Sequence, residues 1–385
     1  MARRVGICAV AQTNWERDRW YERFQGMALE VVESLQAQTG LKFTRHEEGE
    51  GIDMTISVSD DVFDARTISN NAMTDVLGGH FGCEEKIAQQ GIQAIYYGLA
   101  AIASGHHDVV MLLGHCKESQ GKSRNMVTHL AFDPFYTRPI GMDFLAAAGL
   151  QAQAYCEKAK ITDAHLARIV LRARENAAKN PHTAGLEPVT EQQVLESEML
   201  ADPIRALHEY PVSDGAVGMI LAAEDIAKKI TDKPVWISGV GNCMDSFFLG
   251  DRDLTSNFAL KQAARRAYDR AGINDPKTEI DLIEVSDPYA YQFPMWMEGL
   301  GLCDEGAGGA WLDAGGPEKM KANLSGGMLG GNPMILGGLV RAAEAVNQLR
   351  GEAGERQAGS PKRALAHGVM GPAGQFHSVV ILERG

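Results

Sequence analysis

Paired cysteines and long apolar runs are both missing from this sequence. Six cysteines (8, 83, 116, 156, 243 and 303) are scattered along 385 residues and none forms a C-x-x-C pair. That spacing argues against a zinc ribbon within the chain and reads as reduced thiols of a cytoplasmic protein. No apolar stretch reaches the roughly 18–20 residues a membrane span needs. The first 20 residues carry Arg3, Arg4, Glu16, Arg17, Asp18 and Arg19, which leaves no signal-peptide core. Positive charge is in deficit, with 37 Lys and Arg against 50 Asp and Glu, a net charge of −13. Such a surface repels nucleic acid and anionic membranes. There is no G-x-S-x-G elbow, which disfavours an α/β-hydrolase. The glycine-rich stretch 326–338 lacks the G-K-[ST] ending of a phosphate loop. No Pro/Ser-rich linker divides the chain.

What is present is glycine, 42 residues of it, and an apolar fraction of 45% against 23% charged. That composition is globular and excludes disorder. The glycines cluster where apolar runs end, the punctuation of an α/β protein. Strands are expected at about 4–11, 51–59, 109–113, 215–222, 235–240, 281–285 and 378–383. Helices are expected at 22–38, 91–104, 144–158, 163–180, 260–271 and 337–350, on apolar positions at helical spacing. The run at 109–113 is continuously apolar, as in a buried parallel strand. The acidic stretch 41–51, with His46, Glu47, Glu48 and Glu50, reads as a loop. Both halves run strand, helix, strand, which favours a parallel sheet. The division is 1–225, including a loop and helical insertion at about 115–210, and 226–385.

Several stretches resemble the thiolase superfamily, nearest the sterol-carrier-type thiolases and lipid-transfer thiolase-like proteins. GIQAIYYGLAAIASGHHDVVMLLG (91–114) resembles the nucleophile helix and the strand after it. PVSDGAVGMILA (211–222) resembles the strand closing the first half. EVSDPYAYQF and EGLGLCDEG (within 284–306) resemble the "HD-x-F" or "NEAF" loop and its helix. NLSGGMLGGNPMILGG (323–338) resembles the "GHP" loop, AVNQLRGEAGERQ (345–357) follows the family closely, and ALAHGVMG (364–371) resembles the last active-site loop. The resemblance implies an α/β thiolase fold, two similar βα halves in a layered α/β/α/β/α core. It also implies acyl-CoA substrates, coenzyme A as substrate or product with no tightly bound cofactor, a homodimer paired near the region before Gly91, and a small zinc-ribbon OB-fold partner subunit.

Carried over residue by residue, the family's site is altered here. The nucleophile's place falls on Ala88, which has no nucleophile. The "HD" place falls on Ser286 and Asp287, the "GHP" histidine on Asn332, and the fourth place on His367, where relatives also carry histidine. Asn332 can donate through its amide, Ser286 more weakly through its hydroxyl. His367 is the residue expected to move protons. Tyr289 and Tyr291 lie just past Ser286 and invite comparison with aldolases of this superfamily that use tyrosines. Cys83, Cys116 and Cys243 are the alternative nucleophiles; His115 and Cys116 follow a buried strand; His80 and His377 are further histidines; Asp214 reads as tying a turn. Gly326, Gly327 and Gly331 are expected to let a thioester or pantetheine arm approach the backbone. Phe247, Phe248, Tyr289, Tyr291, Phe293 and Trp296 suggest a bulky or aromatic acyl group. Three functions stay open: a thiolase-type enzyme making or breaking the α–β carbon bond of β-ketoacyl- or β-hydroxyacyl-CoA, a catalytically silent subunit that binds acyl-CoA or scaffolds a partner, and a retro-aldol lyase.

Overall fold

Eleven strands form among the described residues of the computed structural model, which are 3–42, 51–62, 68–78, 82–121, 123–183 and 185–385. His46, His80 and the acidic residues Glu47, Glu48 and Glu50 lie outside them. The strands are β1 (Val5–Gln12), β2 (Met54–Val58), β3 (Cys83–Ile87), β4 (Val109–Lys117), β5 (Met199–Ala201), β6 (Ile204–Arg205), β7 (Asp214–Ala223), β8 (Val235–Met244), β9 (Leu282–Val285), β10 (Arg363–Met370) and β11 (Phe376–Arg384). Nine of them hydrogen-bond in the order β3-β2-β4-β7-β1-β8-β11-β10-β9, while β5 and β6 form a separate hairpin.

That order contains a repeat. The quartet β2-β4-β7-β1 is paired parallel, antiparallel, antiparallel. The quartet β9-β10-β11-β8 is paired the same way. The quartets meet through two residue pairs only, Gly6 with Trp236 and Ile7 with Val235. The sheet is therefore mixed, not parallel as the βα grammar suggested. β4 is parallel to β2 but antiparallel to β7, because the chain returns to β7 only after the excursion 118–213. β3 was not expected at all; it sits at the sheet edge and carries Glu84, Glu85 and Lys86 in place of an apolar run.

Two helices, Gly91–Ala103 and Gly337–Arg350, touch each other and touch strands of both quartets. They form the middle layer. Phe24–Thr39 covers the outer face of the first half and Phe258–Ala271 that of the second. The Gly337 helix buries almost every side, including Arg341 and Glu344, so its polar side chains must find partners inside the protein. The middle helices cross closely at Gly91, where an added Cβ would overlap the Leu339 backbone nitrogen and Cβ and stand 2.8 Å from Leu339 Cα. Only glycine lets them approach so far.

The excursion's two long helices are Phe144–Ala159, capped by Asp143, and Asp163–Ala177, capped by Thr162. It lies over the second half: Asn176 and Asn180 donate from their side-chain amides to the carbonyls of Asn323 and Ser325 (3.0 and 3.1 Å). These bonds fix the segment that leads into the Gly337 helix. No helix among the described residues is long and apolar enough to cross a membrane.

Candidate functional site

The N-termini of the two middle helices meet, and each brings polar groups to the junction. Gln90 caps the Gly91 helix: its Oε1 accepts from the Ile92 N–H at 2.9 Å. Because an N–H must face an oxygen, the bond fixes which end of the amide is which. Gln90 is fully buried, and its Nε2 finds no acceptor among the described residues. The amide fills the space between two glycines. A Cβ on Gly338 would stand 2.5 Å from Gln90 Oε1; one on Gly368 would overlap that atom and stand 2.8 Å from Cδ. Ser286 reaches the same turn from the other side, its Oγ 2.9 Å from where a Cβ on Gly337 would lie. Its hydroxyl and N–H both donate to the His367 carbonyl (3.0 and 3.2 Å). Two helix N-termini together make a positive field suited to a developing oxyanion.

Asn332 stands just before this helix and is held by Arg341. Arg341 Nη2 donates to Asn332 Oδ1 at 3.0 Å and Nη1 donates to Ser325 Oγ at 2.7 Å. Ser325 in turn donates to Glu284 through its hydroxyl (2.6 Å) and its N–H (3.0 Å). Glu284 lies 3.4 Å from Arg341, and both are buried. Burial pushes the Glu284 carboxyl above its ordinary range despite that cation. Since Arg offers only donors, Asn332 must present its oxygen to it. The amide nitrogen faces the other way, to the Pro333 carbonyl at 3.2 Å. Asp287 accepts from the Met328 N–H (2.6 Å) and from Asn323 Nδ2 (3.0 Å), and burial raises its carboxyl to about 7. Among the described residues no group of three or more His, Cys, Asp or Glu could hold a metal ion.

Residues 242–384 match the family described as thiolase C-terminal domain-like. Over 384 residues the chain is 30% identical to an acetyl-CoA acetyltransferase of Methanothermobacter thermautotrophicus, covering 97% of each protein. The chain belongs to the thiolase family. It is also 30% identical over 301 residues to sterol carrier protein 2 of Oryctolagus cuniculus, a match spanning 72% of this chain and 54% of that protein. Among solved structures, the Ltp2-ChsH2(DUF35) aldolase superposes with a TM-score of 0.81 at 19% identity, over 99% of this chain and 98% of that one. The thiolase fold expected from the sequence is thus present.

Within that thiolase fold the expected site residues do not all converge. Ala88 is exposed, just past the end of β3. Cys83 begins β3, roughly 16 Å from Ala88 at ~3.3 Å per residue, and is exposed at the sheet edge. Cys116 is buried in the apolar layer between the halves. Cys243 is half-buried on β8, opposite His377 on β11. None of the three stands at the start of the Gly91 helix. His115 stacks on Phe24 in the outer layer, 5.2 Å between ring centroids. Asp214 does tie a turn, accepting from the Arg19 N–H and from the Ser119 N–H and hydroxyl.

His367 is the largest departure. Strand alternation places it on the outer face of the second half, opposite Ala366 and Gly368, which face the middle helices. There its Nε2 meets His377 Nδ1 at 2.9 Å, and both rings lie against Trp296. Burial first, and then the neighbouring ring, hold His367 far below 6.5; burial and then Arg252 bring His377 to about 3. Tyr289 instead borders a closed pocket with Phe144, Met334 and Met370, and burial keeps its phenol protonated. Tyr291 donates to Gln151 Oε1 at 2.8 Å, inside the core that also holds Phe293 and Trp296. Those aromatics serve packing and give no reason to expect an aromatic acyl group. Gly327 (φ 64°) has an internal reason for being glycine: a Cβ would stand 2.5 Å from the Asp287 carboxylate. Gly326 lies against Ala173 and Ala177. Gly326 also borders a cleft of about 460 Å³ lined by Arg172, Asp287 and Phe293, and Gly331 borders one of about 510 Å³ walled by Trp15, Leu186, Pro211 and Ser213.

Gln90 and Arg341 were not picked out from sequence. An uncharged amide beside a missing nucleophile draws no attention, and a lone arginine in a helix reads as solvated. The signal for the first is the pair of glycines Gly338 and Gly368, both of which make room for it.

The histidine pair predicts an acid dependence. In the unfolded chain each imidazole takes a proton near 6.5, whereas the folded protein keeps both neutral, His377 down to about 3. The unfolded state therefore binds more protons below pH 6.5, and stability falls as pH drops from there toward 3. Asp287 acts in the opposite sense: its folded value of about 7 stands above the ordinary 3.8, so it gains stability on acidification through that window. Other buried groups act in both senses, Glu284 and Asp214 with Asp287 and His208 with the histidine pair, so the contribution of His377 is read by removing it. His377→Gln should flatten the fall of Tm between pH 7 and 5; parallel slopes in the variant and the parent protein would refute this.

Proposed function

We propose that this thiolase-family chain makes or breaks the Cα–Cβ bond of a β-hydroxyacyl-CoA without an acyl-enzyme, by an aldol-type route. The observation that carries it is position 88, where a methyl group replaces any nucleophile, with no cysteine at either helix N-terminus. A thiolytic route needs a thiolate to take the acyl group. Aldol chemistry needs only proton transfer at the β-oxygen and donors for the thioester enolate. Asn332, oriented by Arg341, is the donor in this reading, through the amide hydrogen that the Pro333 carbonyl leaves over; the Ser286 hydroxyl already donates to the His367 carbonyl. Tyr289, protonated through burial, gives its proton to the carbonyl oxygen in the condensing direction, and in cleavage the phenolate takes the β-hydroxyl proton back. His367, turned to the outer face, has no part in it.

Coenzyme A is then substrate or product. A second copy would add to the exposed edge of β3, giving the expected homodimer. A zinc-ribbon OB-fold subunit is the proposed partner, supported by the structural likeness to the Ltp2-ChsH2(DUF35) aldolase, which includes a DUF35 component. One observation favours the silent-subunit reading. The pocket bounded by Phe144, Tyr289, Met334 and Met370 encloses only about 10 Å³, the room of one water. The test is intact-protein mass spectrometry after incubation with short, branched and aromatic acyl-CoAs, alongside turnover of 3-hydroxyacyl-CoAs. We expect cleavage with no acyl adduct. An adduct on a cysteine would establish a covalent route, and neither adduct nor turnover would leave the silent subunit.

A further inference from the structure

We infer that Gln90 is a catalytic donor, its side-chain Nε2 hydrogen-bonding the thioester oxygen of a bound acyl-CoA; the inference rests on the CoA-thioester reading above. Three observations carry it. The first is orientation. The Ile92 N–H holds Gln90 Oε1 at 2.9 Å, so the amide nitrogen is the end left over. The second is the lack of a partner. Gln90 is fully buried, yet Nε2 has no acceptor among the described residues. Buried donors are nearly always satisfied, and an orphan one calls for a group that arrives later. The third is location. The amide lies between Gly338 and Gly368, and Ser286 Oγ reaches the adjacent Gly337. Gln90 thus sits where both middle helices present their positive ends, two residues beyond the methyl group of Ala88. Two segments, at 338 and 368, carry glycine where a Cβ would collide with this amide.

The chemistry is complementary to the missing nucleophile. When the Cα–Cβ bond is cleaved, its electron pair moves onto the thioester as an enolate and the oxygen takes on negative charge. When the bond forms, that pair returns to carbon. A fixed N–H aimed at this oxygen stabilises the charged state more than the neutral thioester. No covalent bond to the protein is required.

The experiment separates capping from donation. Gln90→Ser keeps an oxygen that can accept from the Ile92 N–H but is too short to reach a ligand. Gln90→Glu at pH 8 keeps the acceptor and replaces the donor with a second oxygen. Affinities for acetyl-CoA and for free CoA, which has no carbonyl at sulfur, are measured by calorimetry on each variant and on the parent protein. We expect the parent protein to favour acetyl-CoA, and both variants to lose at least about 10-fold of that preference while free CoA binds within 2-fold of before. Turnover of a 3-hydroxyacyl-CoA should fall about 100-fold, the usual cost of losing one oxyanion donor. An unchanged acetyl-CoA to CoA ratio in a folded variant would reduce Gln90 to a helix cap and overturn the inference. Failure of the parent protein to bind either molecule would instead overturn the CoA reading on which it rests. Should one variant not fold, the other reads the same ratio.

Discussion

Arg341→Met is expected to cost about 3–5 kcal/mol of stability, the range for removing one partner of a buried ion pair. The cost arises from what stays behind. Met replaces the aliphatic stem but not the guanidinium, so a cavity adds to the cost. Glu284 loses its cation, and Asn332 Oδ1 loses its donor. Ser325 Oγ also loses its contact with the guanidinium. None of these groups can turn to water, since Arg341 and Glu284 are buried to about 1% and 0% exposure. The remaining carboxyl escapes the penalty only by taking up a proton. The loss should therefore grow as pH rises through neutrality, because the Glu284 carboxyl is already raised by burial and rises further without its partner. Arg341→Lys should lose less, since an ammonium still faces Glu284 but cannot span Ser325 and Asn332 together. Urea denaturation at pH 6 and pH 8 measures both effects. An unchanged midpoint for Arg341→Met would show that the network contributes nothing.

Gly91→Ala carries the second large effect, and its sign runs against helix propensity. Near the start of an ordinary helix the change would help by about 0.5–1 kcal/mol, through lost freedom of the unfolded chain. Here the added methyl overlaps the Leu339 backbone nitrogen and Cβ. Backbone cannot rotate out of the way, so the two middle helices must move apart, an overpacking strain of about 1–3 kcal/mol or more. Leu339→Ala in the same chain should not rescue it, because the clashing nitrogen remains. The displacement falls where Gln90, Gly338 and Gly368 meet, so turnover should be lost more steeply than stability. A variant as stable and as active as the parent would show that the crossing is looser than the geometry indicates.

Burial patterns made most of the framework legible. The Gly337–Arg350 helix matches its expected bounds, because glycine pairs and apolar spacing mark it on both sides. The Phe144 and Phe258 helices fall within two residues of expectation for the same reason. β3 escaped because an edge strand is wetted and carries charges that no alternation rule collects. The sheet's mixed character escaped because strand direction depends on where the chain returns after 118–213, which hydrophobicity does not encode. At the site, the family resemblance named Ser286, Asn332 and Ala88 but could not give side-chain direction. A one-residue alternation on β10 separates Gly368, which faces the helix junction, from His367, which faces the opposite layer. Gln90 and Arg341 were hidden because what distinguishes them is what surrounds them.

The pairing of β1 with β7 and β8 also sets an order of events during synthesis. Val5 bonds opposite Ala223, and Gly6 opposite Trp236. At about 5–20 residues per second, β1 waits about 10–40 s after leaving the ribosome before either neighbour exists. Throughout that interval a strand reading VGICAVAQ has only the following amphipathic helix to lie against. Such distant closure makes folding slow and leaves an apolar edge open to other chains. Sheltering that strand is therefore expected to raise the native yield in a cell, and added chaperone should raise the soluble fraction.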